Sequence, residues 1–459
     1  MLYLLLLFLI LLMLLTLMIL DKDIFSPSFI VCAVFFLSTL GCIVNARYWK
    51  TEISMATILV IVGGCLVFSV IGIVCNSCCK NIYGKRNANE IFELKLIKVD
   101  NWKIVLILLV NLVLIYLQIK FVNNVIAMAS SKSLLSWGMK MEYYRNIVSY
   151  DSSNLHIVIP SYINILNKAS MILSYIFVYI CVNNFLVKKD FKLIKRFNVM
   201  EMLPVIAYIL FNLVCSSRGA ILQIFIATMV MYHLLYHKQN GWNKHYNIKA
   251  LVKIVVIATV LLIIFVELRD IVGRNYSETA KSPLYYICCY IGGSIHLLDD
   301  FIKKPIDGSQ IWGKETFYSI IRFIGQRFNI KDWIYISHLE FRYSNGLNVG
   351  NIYTAFRKYI YDFGYFGVIW CTALVSFIYN QIYYTIKYSK KRSVLYDISI
   401  IFFGYIAYGY FYMSIQEQPL SAILCTTTII MPILFMLVVY CLKLKVRFLK
   451  IRFHRRWKK

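Results

Sequence analysis

The sequence predicts an all-α integral membrane protein with about 11 transmembrane helices, in a range of about 10 to 12, and one large loop between the eighth and ninth. Of the 459 residues, 60% are hydrophobic and only 15% are charged, and the mean hydropathy is +0.67. A soluble domain is roughly 45–50% apolar and 25% charged. Apolar runs of about 20 residues recur, the length that crosses a bilayer as helix, and the alternating pattern of a membrane barrel is absent.

Eleven apolar runs are candidate spans. The first lacks the basic start and small-residue cleavage site of a secretory signal, so we expect a retained helix. Each later run is bounded by charged, Gly or Ser residues, which suit the ends of a spanning helix. The expected spans are about 2–20, 27–46, 54–75, 104–120, 169–187, 200–216, 219–236, 250–268, 363–386, 394–414 and 419–442.

The net charge of +27 lies mostly between these runs and predicts their orientation. Four Lys/Arg-rich segments are expected on the cytoplasmic side by the positive-inside rule: 80–103, 188–197, 387–393 and 443–459. The alternation of spans then puts the turn 216–219 and the long segment 269–358 on the outer side. The carboxyl terminus is expected to be cytoplasmic, while the side of the amino terminus stays open.

This orientation divides the chain into four parts: residues 1–268 with the first eight helices, the outer loop 269–362 with substrate-facing residues, residues 363–442 with the last three helices, and the basic tail 443–459. With no soluble basic domain, nucleic-acid binding is not expected. The 13 cysteines lie mostly in apolar runs without metal-ligand spacing. We therefore expect no metal site and no cofactor.

Arg218 is the most distinctive single residue. It lies in the "SSRG" turn between two apolar runs. An arginine at a membrane boundary either reaches lipid headgroups or binds an anion, and a guanidinium matches phosphate oxygens in a bidentate way. Both interpretations stay open from the residues alone.

The long outer segment carries further cations. Arg269, Arg274, Arg322 and Arg327 give it a surface suited to an anionic lipid substrate. Capping of a helix carboxyl end accounts equally well for the first two. His296 lies close to two aspartates in the same segment and has an ordinary pKa suited to proton transfer.

Residues 348–367, "NVGNIYTAFRKYIYDFGYFG", combine polar and aromatic side chains where the chain enters an apolar run. An aromatic belt at the membrane interface is one interpretation. Aromatic faces and amide groups also suit sugar rings, and a carboxylate suits a general base. The candidates for these roles are Asn351, Tyr353, Arg357, Tyr361 and Asp362.

Three stretches, "GNIYTAFRKYIYDFGYFGVI", "CSSRGAIL" and "YIGGSIHLLDDFIKKPIDGSQIWGKETFYSII", resemble bacterial oligosaccharide repeat-unit polymerases, the Wzy-type O-antigen and capsule polymerases. The resemblance covers roughly residues 200–385 in motif detail. It implies a multi-pass glycosyltransferase of the bacterial inner membrane, which polymerises undecaprenyl-diphosphate-linked repeat units at the periplasmic face and needs no cofactor. Membrane lipids and a polysaccharide chain-length regulator are the implied partners.

The same resemblance implies roles for the candidate residues. Arg218 would stabilise the leaving diphosphate, and the base for the acceptor hydroxyl would be Asp362, His296 or His338. The substrate-binding residues would be Arg269, Arg274, Arg322, Arg327, Asn351, Tyr353, Arg357 and Tyr361. Two alternatives remain, an O-antigen ligase and a lipid-linked oligosaccharide flippase. The long outer loop and the few charges within spans argue against the flippase.

Overall fold

The structure is a computed structural model, and Arg274 and His338 lie outside the residues that it describes. Described are residues 1–84, 91–129, 136–150, 157, 159–188, 198–244, 246, 248–269, 271–273, 282–306, 308–309, 311–335, 339–390, 392–416, 419–442 and 445–447.

Helices dominate the described residues, because a chain inside a bilayer has to satisfy its own backbone hydrogen bonds. In chain order they are α1 Leu2–Ile19, α2 Pro27–Trp49, α3 Met55–Tyr83, α4 Asn101–Ala129, α5 Trp137–Tyr150, α6 Ser161–Val187, α7 Val199–Val214, α8 Gly219–Asn240, α9 Ile248–Glu267, α10 Pro283–Lys303, α11 Tyr318–Phe328, α12 Ala355–Tyr388, α13 Val394–Ile406, α14 Tyr408–Phe411, α15 Pro419–Ile423 and α16 Thr426–Leu442. The strands are β1 Leu96–Lys98, β2 Arg342–Ser344, β3 Leu347–Gly350 and β4 Lys445–Arg447.

Each of the eleven expected spans overlaps one of these helices. Within the described residues, eight helical segments are long and apolar enough to cross a membrane: α1 to α4, α6, α8, α12 and α13 with α14. Three more are apolar but shorter: α7, α16 and, in α9, Val256–Glu267. The prediction of an all-α membrane protein is thereby confirmed in its general form.

The described part of the long segment between α9 and α12 folds into helices and a hairpin of its own. It contains the 21-residue helix α10 and the shorter helix α11. Ser282 starts α10 by accepting a hydrogen bond from the Tyr285 amide at 3.0 Å, and proline occupies the first helical position. A hairpin of β2 and β3 then leads into α12.

The connections between helices fall into two groups that make contacts among themselves. In the first group, Lys387 Nζ donates to Asp23 Oδ2 at 2.8 Å, and Lys103 Nζ donates to the Leu442 carbonyl at 2.7 Å. Strands β1 and β4 pair in the same group. These contacts involve three of the four Lys/Arg-rich segments that the sequence assigned to one side, and residues 189–197 of the fourth lie outside the described residues.

The second group contains the segments expected on the other side. Ser216 Oγ donates to the Val272 carbonyl at 2.5 Å, which ties the "SSRG" turn to the start of the long segment. A Cβ on Gly273 would meet the backbone of Glu142, so α5 packs against the same place. Asp299 on α10 accepts a hydrogen bond from the Ser54 amide at 2.7 Å.

Helix α10 packs tightly on α2, and this contact fixes the position of the site. Gly41 and Gly292 face each other, and a Cβ on Gly292 would overlap the backbone of Cys42. Small residues that allow such backbone approach are the usual way in which membrane helices associate closely. Helix α12 is broken at Gly364, whose φ of 65° and ψ of −165° suit glycine.

Candidate functional site

Arg218 lies at the start of α8 in a sharply bent turn. Ser216 has a φ of 59°, in the left-handed region, and its hydroxyl holds the turn against Val272. This geometry directs Arg218 inward, where only 2% of its surface is exposed. Its Nη1 donates to the Phe265 carbonyl at 2.6 Å, and its Nη2 donates to the Tyr286 hydroxyl at 3.2 Å.

Aromatic rings surround this guanidinium. Its central carbon lies 4.1 Å from the centre of the Phe265 ring and 5.8 Å from that of Tyr290. The Arg269 guanidinium lies 5.9 Å from the Tyr286 ring. We call Arg218, Phe265, Arg269, Tyr286 and Tyr290 the arginine–tyrosine cluster. It brings together two of the predicted phosphate ligands.

The contacts of Arg218 differ from those of the other buried arginines. Among the described residues, its partners are a carbonyl, a hydroxyl and aromatic faces, and its Nε atom is buried without a hydrogen-bond partner. In contrast, buried Arg357 and half-buried Arg392 each pair with at least one carboxylate. The described chain therefore leaves the charge of Arg218 uncompensated, which is costly unless an anion binds.

Arg357 lies in a different cluster at the start of α12. It is 1% exposed and forms ion pairs with Glu315 and with Glu340, the latter at 2.8 Å. Its guanidinium stacks 5.0 Å from the Tyr361 ring, while the Tyr353 hydroxyl donates to Glu340 Oε1 at 2.9 Å. Two carboxylates already neutralise Arg357, so these contacts give it a role in holding the loop together.

Asp362 is also engaged with the protein itself. Its Oδ2 accepts hydrogen bonds from the backbone amides of Thr316 at 2.6 Å and Glu315 at 3.1 Å. These contacts anchor the residues before α11 to the start of α12. Asp362 therefore positions Glu315, the partner of Arg357.

His296 lies on α10 and is 4% exposed. Its Nδ1 is 3.0 Å from the Thr51 hydroxyl, and its Nε2 is 3.4 Å from Asp300 Oδ2. Burial lowers the pKa of His296 by more than Asp300 and Asp299 raise it. The imidazole is therefore neutral at pH 7, the form that accepts a proton.

The remaining candidates are spread over the outer segment. Arg322 and Arg327 are exposed on α11. The Asn351 side chain donates to the Leu339 carbonyl at 3.4 Å. Within the described residues, the hydrogen bonds of Arg322 and Asn351 do not reach the arginine–tyrosine cluster.

The arginine–tyrosine cluster and the contacts of Arg357 both include residues of α10, so the distance between them can be estimated along this helix. Tyr286, the partner of Arg218, is 15 residues before Phe301, whose ring lies 4.7 Å from the Arg357 guanidinium. A rise of 1.5 Å per residue puts these contacts about 20 Å apart along the helix. His296 lies between them. The structure thus places Arg218 and Asp362 in separate surroundings.

Sequence reasoning missed several residues of these sites. Tyr286 and Tyr290 are four apart on α10, a spacing that places both on one helix face, but the helix itself was not predicted. No sequence pattern pointed to Glu315 and Glu340, because both are distant in the chain from Arg357, their ion-pair partner. In the first group of connections, buried Asp23 bonds to Lys387 and to the Tyr383 hydroxyl and was also overlooked.

Comparison of the chain with protein-family models, with curated proteins and with solved structures finds no match.

Proposed function

We propose that the protein is a lipid-diphosphate-dependent glycosyltransferase, which polymerises undecaprenyl-diphosphate-linked oligosaccharide repeat units into O-antigen or capsular polysaccharide at the outer face of the bacterial inner membrane. The proposal joins the sequence resemblance to one structural observation. That observation is Arg218, a buried guanidinium with no carboxylate partner among the described residues.

The proposed topology has eleven membrane passes, a large periplasmic loop between the eighth and ninth, and a cytoplasmic carboxyl terminus. Its support is the division of the connections into two groups with contacts inside each group. The described parts of the Lys/Arg-rich segments 80–103, 387–393 and 443–459 fall into one group, as the positive-inside rule requires for the cytoplasmic side. The arginine–tyrosine cluster belongs to the other group.

In the reaction, the acceptor hydroxyl of an incoming repeat unit attacks the anomeric carbon of the growing chain. The new glycosidic bond forms as the bond from that carbon to the lipid diphosphate breaks, and the hydroxyl proton passes to a base. Negative charge develops on the diphosphate, where a preorganised guanidinium in a dry site stabilises it strongly. Arg218 supplies this charge, with Arg269 beside it across the Tyr286 ring.

The base stays open between His296, Asp362 and His338. His296 is neutral at pH 7 and shares α10 with the cluster. Asp362 has the stronger motif resemblance, but two backbone amides already occupy it. Arg357, Tyr353 and Tyr361 would shape the loop that receives sugar.

The test is a gel of surface polysaccharide from the native host, with the gene deleted and then restored. A polymerase predicts that deletion collapses the ladder to a single repeat unit on lipid A core. A polymer accumulating on undecaprenyl diphosphate would mean ligase, and repeat units held on the cytoplasmic face would mean flippase. An unchanged ladder would refute the proposal.

Restoration with variants then tests the site. We expect Arg218→Ala to lower polymerisation about 10²–10³-fold, the effect of removing one preorganised donor. Arg218→Lys keeps the charge without the bidentate geometry and should retain part of the activity. Arg47→Ala, at an exposed arginine on α2, is the matched control and should give a normal ladder. A normal ladder with Arg218→Ala would remove this residue from the mechanism.

A further inference from the structure

Helix α11 and its surroundings expose an unusual amount of apolar surface. Phe328 is 72% exposed and Phe323 is 49% exposed, and both lie on α11. The neighbouring Trp312 is 68% exposed. Soluble surfaces rarely present such large side chains as a contiguous patch, and a patch of this kind usually marks a site of protein or membrane contact.

The exposure does not come from a loosely held segment. After α11 the chain turns at Asn329, which has a φ of 55°, and a short 3₁₀ helix Lys331–Trp333 folds back. Gly325 lies so close to Trp333 that a Cβ would come within 2.7 Å of its side chain. The Tyr318 hydroxyl also donates to the Tyr335 carbonyl at 3.1 Å. This folded unit holds the phenylalanines outward.

Cations accompany the apolar residues. Arg322, Arg327 and Lys331 are exposed, and Asp332 is the one acidic residue between 318 and 335. Arg322 Nη1 donates to the Tyr318 hydroxyl at 2.8 Å, which leaves its other donors on the surface. A short helix with exposed aromatic side chains and arginines is typical of segments that lie in the plane of a membrane interface.

The patch is continuous with the surface of a spanning helix. The Trp312 ring centre lies 4.8 Å from that of Phe363 and 6.4 Å from that of Trp370, both on α12. Beside them on α12, Phe366 is 70% exposed and Ile369 is 51% exposed. Lipid has to cover these α12 residues if the helix spans the membrane. Trp312 also stacks on Phe317, at the start of α11, with ring centres 5.5 Å apart, so the same surface reaches α11.

We propose that α11 lies on the membrane interface, with Phe323 and Phe328 at the boundary between headgroups and acyl chains and with Arg322 and Arg327 on the phosphates of anionic lipids. The continuity with α12 favours lipid over a protein partner as the occupant. This inference depends on the membrane assignment and is independent of the enzymatic proposal.

The test uses the full chain in nanodiscs of phosphatidylethanolamine and phosphatidylglycerol. A benzoylphenylalanine is placed at position 323 or 328, and adducts formed on irradiation are identified by mass. Position 377, where Phe377 is 53% exposed on α12, is the positive control, and position 348, an exposed asparagine in the β2–β3 hairpin, is the negative control. We expect lipid adducts at 323 and 328 as abundant as at 377 and well above those at 348.

Charge is tested in the same samples by a paired substitution. Arg322→Gln with Arg327→Gln should lower the ratio of phosphatidylglycerol to phosphatidylethanolamine adducts by about fivefold for each charge removed. Arg322→Lys with Arg327→Lys preserves the charge and should leave the ratio unchanged. Protein-sized adducts at 323 or 328, or no more lipid adduct there than at 348, would overturn the proposal. An unchanged ratio in the glutamine pair would overturn its headgroup part.

Discussion

Two equally buried arginines, Arg357 and Arg218, should lose very different amounts of stability on the same substitution. Arg357→Gln removes the partner of Glu315 and Glu340, whose side chains are 14% and 25% exposed. Leaving a buried charge without its partner costs about 3–5 kcal/mol, and the partial exposure of these two carboxylates puts the cost near the lower value. A cost of about 3 kcal/mol lowers the melting temperature by about 3 °C in a chain of this length.

Arg218→Gln should cost much less stability. The substitution loses hydrogen bonds to the Phe265 carbonyl and the Tyr286 hydroxyl, but it also removes a buried charge that has no carboxylate partner among the described residues. These effects oppose each other, because burying a charge without a partner is unfavourable. We expect a net cost below about 1 kcal/mol, together with a severe loss of polymer.

Both purified variants are unfolded thermally in nanodiscs, and size-exclusion chromatography monitors the loss of folded protein. The polymer gel is run on the same variants.

Burial raises the pKa of Glu315 by more than Arg357 lowers it. Without the arginine this carboxyl takes up a proton more readily, and a raised folded pKa means that stability is lost as pH rises. The loss of stability in Arg357→Gln relative to wild type should thus be larger at pH 8 than at pH 5. The reasoning fails if Arg218→Gln unfolds first or if Arg357→Gln melts like the wild type.

Two further outcomes test the packing of α10. Gly292→Ala should lower the folded yield by forcing α10 away from the α2 backbone, a cost of about 1–3 kcal/mol, while Gly63→Ala, which has nothing within 4 Å, should be neutral in the same assay. Burial raises the pKa of Asp299, but Lys303 and the groups of Ser54 lower it further, so the net shift is downward. Its stabilisation is present above the unfolded pKa and lost as pH falls through the lower folded value. Asp299→Asn should therefore be less stable than wild type at pH 7. The difference in melting temperature between the two should disappear below about pH 4 in thermal unfolding.

Hydropathy alone located the helices that are apolar enough to cross a membrane, because length and apolar content decide whether a segment can cross a bilayer. The ranges expected from the sequence overlap helices in the structure even where proline interrupts, as in α7 and α16. Helix α10 escaped prediction because it is amphipathic and carries His296 and two aspartates. Its apolar face is covered by α2, and contacts so distant in the chain leave no local pattern.

The candidate site was predictable only where its features are local in the sequence. The position of Arg218 in a short turn between apolar runs was visible in the sequence, since the cost of a charge there depends only on local context. The pairing of Arg357 with Glu315 and Glu340 depends on folding of the outer loop and was not visible. The motif around residue 357 therefore suggested a ligand for substrate where the structure has an ion-pair network.

That difference bears on the role of Asp362 in the proposed reaction. A glycosyl transfer has one breaking bond, and a base has to lie within hydrogen-bond reach of the attacking hydroxyl. Arg218 and the Asp362 region contact α10 about 20 Å apart, which is too far for both to act on one bond in this conformation. Asp362 instead accepts the amides of Glu315 and Thr316 and so fixes the loop beside Arg357. In this conformation its carboxylate acts as a positioning group for the loop, so it can serve as the base only if the loop moves towards Arg218.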